Sequence, residues 1–114
     1  MTAVTFFRDG ASLAGFRANG HSGYAQEGSD IVCAAISALT QTAELGLRKV
    51  AKARAKVVLD EDNASLEVRL LETDGQAWQA AQVILRTLEE GIIDIEQQYP
   101  DFVRTAYRER RQKP

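Results

Sequence analysis

Only one cysteine and one histidine occur along the chain. A lone cysteine excludes an internal disulfide, and absence of disulfides suits a reducing compartment. Together the two residues cannot supply the four ligands of a structural zinc site. No metal and no cofactor is expected. Apolar runs are short, and none approaches the roughly 20 residues that span a bilayer. Met1-Thr2-Ala3-Val4 lacks the basic start and apolar stretch of a signal peptide. A cytoplasmic protein with no membrane partner is therefore expected. Charge of one sign is also missing: 14 basic residues face 16 acidic ones, for a net charge of -2. Such a balance exerts no whole-chain pull on polyanions, so direct nucleic acid binding is not expected. A length of 114 residues predicts a single domain over 1–114, large enough for a core of its own.

What is present reads as α+β: two helices packed on a mainly antiparallel sheet of four to six strands. Val4–Phe7 and Leu13–Ala18 read as strands joined at Asp9-Gly10, a favoured hairpin turn. Three glycines over residues 19–29 predict a flexible loop. Ser29-Asp30 is a helix-start signal, and a helix is expected from about Ile31 to Leu47. Arg54–Leu59 and Ala64–Leu71 read as a second hairpin about Asp60-Glu61-Asp62-Asn63. Ala55, Val57 and Leu59 alternate with Lys56, Val58 and Asp60, which gives that strand one consistently apolar face. A long helix is expected from Thr73-Asp74-Gly75 to about Tyr99, stopped by Pro100. Val103, Thr105 and Tyr107 fit a last edge strand better than a resumed helix. The basic tail from Arg108 to Pro114 is expected to fray.

At 100° per residue, Asp30, Cys33, Ser37, Thr40, Gln41 and Glu44 share one arc of the first helix. The rest of the circumference is apolar except for Thr42. A free cysteine is most often a small core residue, so its place on the polar arc is informative. The expected helix start also puts Cys33 in the first turn. There the unpaired N–H groups and the dipole favour a thiolate, opposed by the charge of Asp30. His21 lies in the glycine-rich loop 12 residues earlier. A strand end and a helix start joined by a loop can meet in space. A thiolate, a base and backbone N–H groups for the oxyanion make a minimal cysteine hydrolase. By spacing alone this pairing is a weak signal.

The run from Gly20 to Leu39 is more specific. Gly20-His21-Ser22-Gly23-Tyr24-Ala25, then Gly28-Ser29-Asp30-Ile31-Val32-Cys33-Ala34-Ala35-Ile36-Ser37-Ala38-Leu39, closely resembles the signature of the ribosomal-processing cysteine protease Prp family, also called YsxB-like. Ser22 stands where alanine is common, and residues beyond 50 carry little of the signature. The resemblance implies a Cys–His dyad of Cys33 and His21, with supporting roles for Gly20, Asp30 and Ser37. It implies a homodimer whose loop between His21 and Cys33 orders over bound peptide. It also implies a partner and substrate: the precursor of large-subunit ribosomal protein L twenty-seven, whose N-terminal extension is cleaved after phenylalanine.

Several residues keep two readings at this level. Asp30 either orients His21 in the manner of a catalytic triad or only caps the helix. Ser37 lines a pocket or bonds a carbonyl one turn back. Tyr24 gates the loop, contacts substrate or simply packs. Trp78, with Ala77, Ala81 and Leu85, is expected in the core or a dimer interface. Arg48, Lys49, Lys52, Arg54 and Lys56 read first as a solvated face. Two other functions compete: a non-catalytic ribosome-associated assembly module of the same fold, and a thiol redox sensor.

Overall fold

Alternating apolar residues along five segments build one sheet, and two amphipathic segments cover one of its faces. The structure, a computed structural model, describes residues 1–20 and 27–110; for 27–30 it describes the backbone alone. In chain order the elements are β1 (Thr2–Asp9), β2 (Ser12–Asn19), α1 (Glu27–Leu45), β3 (Ala55–Asp60), β4 (Ser65–Leu70), α2 (Gly75–Gln98) and β5 (Val103–Glu109). The sheet order is β3-β4-β2-β1-β5. Consecutive neighbours pair antiparallel except β5, which lies parallel to β1 after the α2 crossover. The expected α+β class, the two hairpins and the last edge strand are therefore all present.

Val4, Phe6, Phe16 and Val68 are fully buried on the covered face. Ala81, Leu85 and Ile92 of α2 pack against them, as do Val32, Ile36 and Ala43 of α1 and Leu47 just beyond its end. Each large side chain so buried stabilises the fold by roughly 2 kcal/mol before conformational entropy is counted. Asp74 caps α2 by accepting a 2.8 Å hydrogen bond from the Ala77 amide. Trp78 packs half-buried against the core, as expected of it. Among the described residues, no helix is long and apolar enough to cross a membrane.

Pairing of β1 with β2 slips by one residue, so Phe7 faces Gly15 while Arg8 faces Leu13 and Ala14 is the extra residue. Gly15 has φ +146°, and a Cβ there would lie 2.1 Å from the Val68 carbonyl oxygen. Only glycine lets β4 close onto β2 at this point.

Three expectations need correction. First, α1 begins at Glu27 rather than near Ile31. Acidic residues suit the interior of a first helical turn as well as its cap, so Glu27 and Asp30 extend the helix backward. It then runs past Leu45 into a π-helical turn, Gly46–Val50. Gly46 sits so near α2 that a Cβ would be 3.3 Å from Ile84 Cδ1. Second, the arc of α1 that lacks apolar residues does not all face solvent. Thr40 is buried and satisfies its hydroxyl on the Ile36 and Ser37 carbonyls. Conversely Ile31 is 66% exposed, because the core reaches only the stripe 32, 36, 40, 43 and 47. Third, Arg108–Arg110 are ordered by pairing: β5 continues to Glu109, and the Arg110 amide donates to the Arg8 carbonyl at 2.8 Å.

Candidate active site

On a helix of this span, Cys33 lies in the second turn. The four N–H groups without intrahelical partners belong to the first, and the dipole effect decays within it. The expected first-turn activation of the thiol therefore does not apply. What places the sulfur is the helix face. Cys33 lies about 20° around the axis from Thr40, at the margin of the buried stripe. It is half-buried, with the core on one side and an open groove on the other.

That groove, of about 780 Å³, runs between α1 and the end of the sheet where β2 finishes and β4 starts. Cys33, Ser37, Gln41, Glu44 and Leu45 form its helical wall. Ala18, Leu66, Val57 and Leu59 supply apolar surface from three strands. Of the apolar alternation of β3 only Ala55 packs against the core; Val57 and Leu59 are exposed, Leu59 at 64%, and face the groove instead. Asp60 and Glu61 stand at its rim. The Asn63 side-chain amide, and then its backbone N–H, hold the Asp60 carboxyl below the usual carboxylate range. Glu44 is neutralised by Arg48 one turn on, at 2.7 Å.

Cys33 Sγ lies 3.1 Å from Thr2 Oγ1, and Thr2 lines the groove as well. No sequence signal flagged Thr2, because the contact spans 31 residues and depends on β1 starting beneath α1. Gly20 lines the same groove, and its amide donates to the Ala64 carbonyl at 2.8 Å. Ser37, one turn after Cys33, is exposed and accepts from Gln41 Nε2 at 2.8 Å. The structure thus brings together Gly20, Cys33 and Ser37 of the predicted set. His21, Tyr24 and the side chain of Asp30 lie outside the described residues, as do residues 21–26 of the expected loop, whereas 27–29 of that loop are helix. The basic residues after α1 are exposed, and none lines the groove.

Comparison with known proteins places this geometry. No curated protein matches the chain. Among solved structures, a Streptococcus mutans protein superposes with a TM-score of 0.85 at 26% identity, over 96% of each chain. Ribosomal processing protease Prp from S. aureus, in complex with a substrate peptide, gives 0.83 at 23% identity, over 95% of this chain and 100% of that one. At that identity the likeness carries the fold. The same S. aureus protein with a covalently linked product peptide gives 0.80 at 25% identity, with the same coverage. The family model of cysteine protease Prp matches residues 1–104, and the chain accordingly belongs to that family of cysteine proteases.

Proposed function

We propose that the chain is a ribosomal processing endopeptidase that removes the N-terminal extension of the precursor of large-subunit ribosomal protein L twenty-seven, cleaving after phenylalanine. Cys33 is the nucleophile and His21 the general base. The observation that carries this reading is the position of the Cys33 sulfur in the wall of an apolar groove that Gly20 also lines. His21 follows Gly20, a groove residue, directly in the sequence. The S. aureus relative, solved with substrate and with covalently linked product peptide, supports a peptide as occupant. Val57, Leu59 and Leu66 offer the kind of surface an aromatic residue before the cleaved bond would bury.

In this reading His21 takes the thiol proton and the Cys33 thiolate attacks the scissile carbonyl carbon. The tetrahedral oxyanion collapses as His21 gives the proton to the leaving amine. A thioester to Cys33 remains. Water, deprotonated by His21, attacks it and releases the new carboxyl terminus, while the thiol is regenerated. Asp30 and Ser37 take supporting places: Asp30 beside His21 or as a helix residue only, and Ser37 one turn from the sulfur on the same wall. A homodimer belongs to the same proposal.

Incubation with a peptide carrying the phenylalanine-terminated extension, read by mass spectrometry, tests it. The parent should yield one cut after phenylalanine. Cys33→Ala and His21→Ala should each abolish or strongly depress that cut while the protein stays folded. Cleavage by Cys33→Ala near the parent rate would remove Cys33 as nucleophile.

A further inference from the structure

The Thr2 hydroxyl is nearly sealed from solvent, with the residue 3% exposed. Among the described residues the side chain's hydrogen-bond partner is Cys33 Sγ, at 3.1 Å. A buried hydroxyl costs stability unless it is bonded, and a neutral thiol is a weak acceptor. A thiolate is a strong one, since hydrogen bonds to ionised groups are roughly twice as strong as neutral ones. The pairing is therefore worth most in the state of Cys33 that attacks a peptide carbonyl.

Thr2 is also held rigidly. It is the first residue of β1, its amide donates to the Phe102 carbonyl at 2.8 Å, and it pairs in register with Val103 of β5. The Phe102 and Val103 amides in turn both donate to the Tyr99 carbonyl, at 2.9 and 3.2 Å. The hydroxyl thus sits on the sheet, while the sulfur it meets sits on α1.

From this geometry we infer that Thr2 is a positioning residue for the reaction. Its O–H donates to Cys33 Sγ, fixes the sulfur toward the groove and stabilises the thiolate. With Thr2 as donor, the S–H of the neutral thiol is left free to face the base. The inference rests on the reading of Cys33 as nucleophile.

The test compares Thr2→Val, which keeps the shape and removes the hydroxyl, with Thr2→Ser, which keeps the hydroxyl. Three quantities are measured: the pH profile of Cys33 alkylation by iodoacetamide, kcat and KM on the extension peptide, and thermal unfolding. Thr2→Val should slow alkylation at pH 7 by roughly three- to tenfold and move the profile to higher pH. It should lower kcat by a similar factor with KM little changed, at near-parent thermal stability. Thr2→Ser should restore both rate and profile. A Thr2→Val protein with the parent profile and kcat overturns the inference, and so does a Thr2→Ser protein with a displaced profile. If Thr2→Val does not fold, Thr2→Ala takes its place, and a parent profile and kcat in that variant overturn the inference in the same way. Failure of Cys33 itself as nucleophile appears separately, as cleavage by Cys33→Ala.

Discussion

A side chain added at position 15 would have nowhere to go. The nearest atom is the Val68 carbonyl oxygen, at 2.1 Å, and it belongs to backbone already paired in the sheet. It cannot swing aside as a flexible side chain would. The φ of +146° adds strain for any L residue. Gly15→Ala should therefore cost roughly 3 kcal/mol or more, combining strain with overpacking. Against total stabilities of about 5–15 kcal/mol, that is a large share. Urea unfolding followed by circular dichroism measures it. A midpoint within the range of ordinary surface substitutions would mean that β4 can move away from β2 at little cost. Cys33 is a different case at the same scale. It is half-buried at a groove margin beside one hydroxyl, so under the proposed function its replacement should cost activity and leave the fold intact.

Between elements, β5 and α2 are joined by a polar cluster at the edge of the core. Tyr107 donates to Glu89 Oε2 at 2.6 Å, and Arg86 donates to Oε1 at 3.1 Å. The Arg8 guanidinium lies 4.0 Å over the Tyr107 ring. Burial first, then the hydrogen bond and charge of Glu89, push the Tyr107 phenol above its ordinary value of 10. The folded protein thus holds this proton more tightly than the unfolded chain. The resulting stabilisation is complete below about pH 10 and is lost as pH rises from there through the folded value. Tyr107→Phe should cost roughly 1–2 kcal/mol near pH 7, because buried Glu89 loses a donor. The gap between parent and variant should hold up to about pH 10 and narrow above it. A gap that stays constant above about pH 10 would show that the phenol proton is not linked to folding. The alternation of β5 made the strand legible, but nothing in it announced Glu89 as a partner, because helical spacing does not say which strand a face will meet. The same limit governs the site. Gly20, Cys33 and Ser37 were legible as a run of sequence, whereas Thr2 and the β3 side chains that line the groove belong to it only through sheet order. The apolar face of β3 was legible, but periodicity reports a face without reporting what covers it.

At the scale of the whole molecule, one residue near the end of the chain ties three strands together. Arg110 donates through its guanidinium to the Asp9 carboxylate at the end of β1 and to the Leu70 carbonyl at the end of β4. Its amide bonds the Arg8 carbonyl, continuing the β5 pairing. The family match stops at residue 104, so Arg110 lies outside the matched residues while its partners Arg8, Asp9 and Leu70 lie within them. Arg48 offers an internal control. It makes a 2.7 Å pair with Glu44 one turn away on the same helix, and its side chain is 54% exposed, against 25% for Arg110. A pair within one exposed helical turn is worth little, since water screens it and the helix forms without it. The Arg110 contacts join residues 101 and 40 positions apart and leave a half-buried carboxylate and a strand-end carbonyl without a donor when removed. Arg110→Ala should therefore cost roughly 1–3 kcal/mol, several times the effect of Arg48→Ala. Salt separates them further. Raising ionic strength toward 1 M, where the screening length is about 3 Å, should erase most of the Arg48 effect and leave much of the Arg110 effect. Urea midpoints of both variants at low and high salt make the comparison. Equal, small and equally salt-sensitive losses would show that the chain end lies on the sheet without locking it.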